Sequence, residues 1–373
     1  MTQDKQNPVV LMTGNSGLIG SRICQRLQDR YTLVGMDLHP PRVEKNVHKW
    51  IQCDLTKDSS VRSALHETLE QFGDSLASVI HLAAYYDFSG EPSPLYNELT
   101  VEGTRRLLSG LKSFQHVGQF VFSSSLLVMK PCELGQQLTE ESPTQAEWEY
   151  PQSKLDAERV IQEEHEDIPT VILRLAGTYD ESGQSPPITQ NIRRIAERQL
   201  ESYVFPGDPD RGQTFVHLDD IAICVEQVVE KRTQLDDSLI LLIAEDECLS
   251  YETLQDRIGE LIYGEEDWPT IRIPKFVAKA GAWVKVQLAD SAEEKPFIKP
   301  WMVDLADAHY PVDNSRARDL LGWQPSRSLS TTLPAMIAGL KQNPRKWYEL
   351  NNLQVPSKEL LEQISGNTLA EKT

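Results

Sequence analysis

Cations are the scarce charge in this chain. Lys and Arg number 37 against 56 Asp and Glu, a formal net charge of −19. Nucleic-acid binders hold phosphates with Lys and Arg, so this balance argues against a nucleic acid as partner. Cysteine is also sparse: Cys24, Cys53, Cys132, Cys224 and Cys248 are odd in number, scattered and without a C-x-x-C pair. They exclude a disulfide framework and a cysteine zinc site, and read as free thiols of a reducing compartment. His81, His217 and His309 lack metal-ligand spacing, so no metal is expected. No apolar run approaches the length that crosses a bilayer, and the polar N-terminus lacks the basic, apolar and cleavage segments of a secretion signal. The expectation is a cytoplasmic protein with a small-molecule substrate and no integral membrane segment. At 373 residues the chain can bury a sizeable core and exceeds the usual size of one domain.

Short apolar runs at Val9 to Met12, Thr32 to Met36, Val79 to Ala84, Phe120 to Phe122 and Thr170 to Leu173 alternate with helical patterns, and a later run covers Leu239 to Ile243. That alternation predicts an α/β fold, a Rossmann-type doubly wound parallel sheet. The first run leads into Thr13, Gly14, Asn15, Ser16, Gly17, Leu18, Ile19 and Gly20, and then into a helical pattern. Gly14 permits a tight turn, Gly17 lets backbone approach a pyrophosphate, and Gly20 lets the helix pack close to the strand. The second run ends in Asp37, placed to meet adenosine ribose hydroxyls and to repel a 2′-phosphate. NAD is therefore favoured over NADP, with Arg42 nearby as a counterweight.

Tyr150 and Lys154 stand four residues apart, on one face of a predicted helix, downstream of the serine run Ser123 to Ser125. In isolation this pattern is also that of a solvated helix face. Behind a dinucleotide turn it supplies three groups that move a proton: a phenol, an ammonium to lower the phenol's pKa, and a hydroxyl on the same substrate oxygen.

With these motifs in this order the chain resembles the extended short-chain dehydrogenase/reductase family, also called the NAD-dependent epimerase/dehydratase family, over most of residues 8 to 340. The resemblance implies that Asp54 and Leu55 flank adenine, that Leu82, Ala83 and Ala84 line the ribose and pyrophosphate, and that Leu175, Ala176 and Gly177 lie near the nicotinamide. It implies Ser125, Tyr150 and Lys154 as the catalytic set, with Ser123 and Thr100 at the cofactor and Lys154 on the nicotinamide ribose. Homodimers through the helices beside Tyr150 are common in that family. Thr100 replaces the family's usual asparagine, and Met129-Lys130 its usual Tyr-Gly. Ser125-Leu126-Leu127 lacks the Asp-Glu pair of sugar 4,6-dehydratases, which disfavours that chemistry.

The substrate half departs further. Gln213 stands where nucleotide-sugar epimerases carry a pyrophosphate-binding arginine, although Arg211 is two residues away, and Trp301 to Pro311 contains no arginine. Tyr85, Tyr86, Phe88, Trp148 and Tyr179 are candidates to line a pocket for a less charged substrate, as is Arg211 for a charged one. Three functions follow in order: an oxidoreductase at a secondary alcohol or ketone, an epimerase using NAD transiently, and a non-catalytic cofactor sensor. Residues 1–175 form the expected cofactor domain, 176–350 a substrate portion interleaved with the last strands, and 351–373 a polar tail. Residues 273–286 are basic and partly amphipathic, a lid helix or a surface-binding one. Asp37→Ala is expected to narrow the gap between NAD and NADP affinity in calorimetric titration. An unchanged gap would remove Asp37 from the cofactor site.

Overall fold

The six apolar runs become strands of one seven-stranded parallel sheet, joined by a strand at Lys49–Gln52 that no run marked: β1 Val9–Thr13, β2 Thr32–Asp37, β3 Lys49–Gln52, β4 Ser78–His81, β5 Phe120–Ser125, β6 Thr170–Leu175 and β7 Ser238–Ile243. A computed structural model describes residues 7–87, 90–288 and 297–366. Strand order is 3-2-1-4-5-6-7, so the winding reverses between β1 and β4. That reversal opens a crevice at the strands' carboxyl ends, where doubly wound sheets bind ligands.

Helices cover both faces, which is why the central strands are apolar throughout rather than alternating. Helices α1 Leu18–Leu27, α2 Asp58–Phe72, α3 Glu102–Leu111 and α4 Glu149–Glu164 follow early strands. The C-terminal half adds α5 Pro186–Ala196, α6 Leu218–Glu230, α7 Tyr251–Tyr263, α8 Lys275–Leu288, α9 Pro300–Asp304, α10 Ser315–Leu321, α11 Leu329–Gln342, α12 Pro344–Leu350 and α13 Lys358–Gly366. Val10 and Met12 of β1 pack with Ile23 and Leu27 of α1 and with α6. Leu11 points the other way, into a core with α2, α3 and α4. A third core, built by α5, α7 and α11 to α13, forms a C-terminal lobe.

Buried Asp220 of α6 ties the last part of the chain to the sheet. It accepts from the Ser326 N–H (3.0 Å), the Ser326 hydroxyl (2.6 Å) and the Arg327 N–H (3.2 Å). The Trp323 indole donates to its carbonyl at 2.9 Å. Burying these groups is tolerable because each finds a partner.

One expectation is corrected. Part of the supposed polar tail is helix α13, whose Leu361 and Ile364 are buried in the third core. Its apolar stripe is so short among Lys, Glu, Gln and Ser that its period is hard to read. Ile364→Ala is expected to lower stability by about 2–5 kcal/mol, the range for buried Ile truncations, seen as a lower urea midpoint at unchanged slope. An unmoved midpoint would mean that α13 does not dock.

Candidate active site

The crevice between β1 and β4 is closed by glycine. Gly14 has φ +74°, and a Cβ there would lie 2.8 Å from the Ala83 nitrogen, so the first turn touches the chain leaving β4. A Cβ on Gly20 would run into the Gly14 carbonyl oxygen. Gly17 is exposed and begins α1 without a side-chain cap, leaving N–H donors of the first turn open beside Leu18 and Ile19. Asn15 turns the other way: it is buried against Gly35, and its amide has no partner among the described residues.

The Asp37 carboxylate accepts from the backbone N–H of Ser16 (3.0 Å) and of His39 (3.2 Å). Arg42 donates to the Ser16 carbonyl at 3.1 Å, so acid and base flank the same residue. Asp54 folds onto its own turn, accepting from the Thr56 N–H and hydroxyl and pairing with Lys57 at 2.7 Å. The Lys57 bond, followed by those of Thr56, holds its carboxyl below the usual range. Leu55 is buried against Gly103 of α3. Uncapped N–H groups, a close-packed glycine turn and a carboxylate at the end of β2 fit a dinucleotide.

His81 joins the two sides of the crevice. Its Nδ1 lies 2.6 Å from the Thr13 hydroxyl and its Nε2 2.9 Å from that of Thr104. The Thr104 hydroxyl donates to the Thr100 carbonyl at 2.6 Å, so it accepts from an Nε2–H, and Nδ1 accepts from Thr13. Burial first, and the Lys154 charge second, hold this imidazole neutral with a pKa of about 3. Thr100 is buried in a π-helical turn, Tyr96–Val101, and its hydroxyl accepts the Tyr85 N–H at 3.0 Å. It anchors the loop after β4.

Ser125 ends β5 in register with Leu175 at the end of β6. Its hydroxyl accepts from the Leu127 N–H (3.2 Å) and lies close enough to Tyr150 to favour the phenolate somewhat. Burial outweighs that effect and pushes the phenol up to about 12. Lys154 is buried one turn further along α4. Its Nζ donates to the Ser123 carbonyl at 2.6 Å and sits 4.8 Å above the Phe122 ring. Burial lowers its pKa to about 7, partly offset by Glu158. The expected depression of the Tyr150 pKa by Lys154 is therefore absent here, because desolvation dominates and the ammonium is directed at a carbonyl.

Glu158, one more turn on, receives two bonds from Arg174 (3.1 and 2.7 Å) and one from the Ser124 hydroxyl. Arg174 also contacts the Met129 sulfur at 2.9 Å.

Aromatic rings surround Tyr150. Tyr86 lies edge-on at 4.9 Å between centroids and Trp148 at 5.5 Å, with Trp301 of α9 a further 5.1 Å from Trp148. Tyr85 packs instead on Tyr96 at 4.8 Å. Phe88 lies outside the described residues. Tyr179 is 0 % exposed, and its hydroxyl donates to Glu245 at 2.8 Å in the C-terminal core, which leaves it no surface for a substrate. Arg211 pairs with Glu133 and, at 3.9 Å, with Asp208. Leu175 and Ala176 are buried at the strand end, and the Gly177 Cα faces the Phe215 ring. Glu181, His217 and Asp219 cluster as metal ligands do, but the Arg327 guanidinium bonds to all three. The sequence reading missed Trp301, which no local pattern marks, and Glu158, whose signal was its position four residues after Lys154.

The model of the "NAD dependent epimerase/dehydratase family" matches residues 10–244. Sterol-4-alpha-carboxylate 3-dehydrogenase, decarboxylating, of Candida albicans is 23% identical over 349 residues, 86% of this chain and 94% of that protein. An Escherichia coli O157:H7 4-epimerase of N-acetyl-glucosaminyl-diphospho-undecaprenol is 27% identical over 165 residues, 44% of this chain and 46% of that protein. Among solved structures, UDP-glucose 4-epimerase of Thermotoga maritima with UDP-glucose has a TM-score of 0.64 at 19% identity, covering 89% of this chain and 98% of that one. MoeE5 in complex with UDP-glucose and NAD has a TM-score of 0.65 at 21% identity, covering 90% and 99%. At these identities the structures establish the fold.

A phenol with a pKa near about 12 is protonated at neutral pH. As an acid it is ready over the whole neutral range; as a base it becomes more available as pH rises. Alcohol oxidation is expected to accelerate with pH from neutrality well into the alkaline range, while ketone reduction stays flat over the neutral range. A plateau of oxidation already at neutral pH would show that another group takes the proton or that a charge lowers the Tyr150 pKa.

Proposed function

The chain belongs to the NAD dependent epimerase/dehydratase family, and on that premise we propose that it is an NAD-dependent dehydrogenase/reductase acting at a secondary alcohol or ketone of a weakly charged, ring-bearing substrate. The rings of Tyr86 and Trp148 against Tyr150, with Trp301 packed on Trp148, carry this reading. Flat apolar faces bind ring systems well and diphosphates poorly. The candidate arginine, Arg211, already pairs with Glu133 and Asp208. The likeness to a sterol-carboxylate dehydrogenase points the same way.

NAD would be held by the Gly14 to Gly20 turn, by Asp37 at its adenosine end and by Leu82 to Ala84 beneath it. When bound, it supplies the hydride acceptor, or in its reduced form the donor. Tyr150 exchanges the proton at the substrate oxygen, and the Ser125 hydroxyl orients that oxygen. Lys154 would hold the ribose hydroxyls of bound NAD, while burial keeps the Tyr150 phenol protonated at neutral pH. Retention of Ser125, Tyr150 and Lys154 together supports an enzyme over a cofactor sensor, which needs only the binding half. The unpaired state of all five cysteines supports a reducing, cytoplasmic setting.

Tyr150→Phe removes one oxygen. It is expected to keep NAD affinity while turnover falls by about two to four powers of ten, the usual share of general acid/base catalysis. Turnover within a factor of about two of the unsubstituted protein would sink the assignment. UDP-glucose is expected to shift the melting temperature only slightly, because ligand stabilisation follows concentration over Kd. A large shift would favour the epimerase reading, with Arg211 as the residue to replace first.

A further inference from the structure

Helix α8 carries its apolar side outward. Lys275, Ala278, Ala282 and Val286 are the half-buried positions that face the body, whereas Phe276, Val277, Ala280, Trp283, Val284 and Leu288 lie on the solvent side. Phe276 is 75% exposed, Trp283 58% and Leu288 74%. Surface helices normally present the reverse pattern, and contiguous exposed apolar patches mark sites of interaction. The patch continues beyond the helix. Exposed Leu200 precedes Glu201, which pairs with Lys285 of α8, and exposed Ile271 stands on the strand that leads into α8.

The segment that carries the patch differs in charge from the rest of the protein, although Arg272 pairs with Asp208 at 3.4 Å. Residues 271–288 contain Arg272, Lys275, Lys279 and Lys285 and no acid, in a chain of net charge −19. The partners of the lysines, Asp304, Asp307 and Glu201, belong to neighbouring elements, and Lys279 and Lys285 remain about half exposed. We propose that α8 docks in the interface of an anionic lipid bilayer, lying in its plane with Phe276, Trp283 and Leu288 among the acyl chains and its cations among the headgroups.

Length and charge select this occupant. Fourteen residues span about 21 Å, too short for the ~30 Å hydrocarbon core. No helix among the described residues is long and apolar enough to cross a membrane. A symmetric second copy seated on α8 would bring like cations together, which opposes pairing. A tryptophan amid apolar residues with lysines at the margin is the composition that favours a membrane interface.

The position of α8 links docking to the chemistry. It packs on α9, whose Trp301 lies against Trp148 and so leads to Tyr150. If the apolar-substrate reading holds, docking brings the site next to the phase in which such a substrate dissolves. Docking itself does not depend on that reading.

The test is flotation of the 373-residue chain with phosphatidylcholine–phosphatidylglycerol vesicles and with pure phosphatidylcholine vesicles. The unsubstituted protein is expected to float with the mixed vesicles, less at high salt and less with the pure ones. The triple variant Phe276→Ser, Trp283→Ser, Leu288→Ser is expected to bind on the order of tenfold or more weakly, since each apolar residue contributes by burial. Its thermal unfolding should change little, because more than half of each of these side chains is exposed among the described residues. Tyr150→Phe should float like the parent, so a failure of the catalytic assignment leaves this result standing. No flotation with either vesicle, or equal flotation of the triple variant, overturns the proposal. So does a dimer in sedimentation that the triple variant dissolves while neither protein floats.

Discussion

An ammonium removed from water is the constraint around which this site is arranged. Lys154 is buried on the inner face of α4, and burial alone would discharge it. Three features keep it tolerable: the Ser123 carbonyl, the face of Phe122 and the Glu158 carboxylate one turn away. Glu158 is itself buried and is matched by Arg174 and Ser124. Charge and counter-charge thus run from α4 into β5 and β6, and fix how α4 lies on the sheet. Breaking one member leaves another uncompensated, which is why such networks are costly to disturb.

The crevice depends on a second set of close fits. Gly14 touches the chain after β4, and His81 bridges β1 to α3 through two threonines. A charged imidazole would cost the Thr13 hydroxyl its place as donor and bury a charge beside Lys154, so burial and partners agree on the neutral form. The result is a close-packed floor at the reversal of the sheet, with the Ser125 and Tyr150 hydroxyls at one end and the Asp37 carboxylate at the other.

Much of this was legible in the sequence because it is local. The strand runs, the Gly14 to Gly20 turn and the acid closing β2 are short-range patterns, and the sheet follows from their alternation. The structure brings Ser125 and Tyr150 together and places Lys154 one turn from the phenol. What the sequence hid depends on distant chain. Trp301 reaches Tyr150 only through Trp148, and Tyr179 looked like a pocket residue until the C-terminal helices enclosed it. The direction of the Tyr150 shift could not be read from spacing, since a neighbouring lysine and burial oppose each other and only the fold decides between them. The period of α8 showed an amphipathic helix but not which side packs. The short stripe of α13 was too sparse to separate from a tail.

The central claim is net hydride transfer at an apolar secondary alcohol. It is tested most directly by incubating the protein with NAD and a set of ring alcohols, among them carboxylated sterols, beside UDP-sugars, and following reduced nicotinamide by absorbance. The account requires reduced cofactor to accumulate with at least one ring alcohol and with no UDP-sugar. Interconversion of UDP-sugars without net reduction, and no reduction with any ring alcohol, would contradict it.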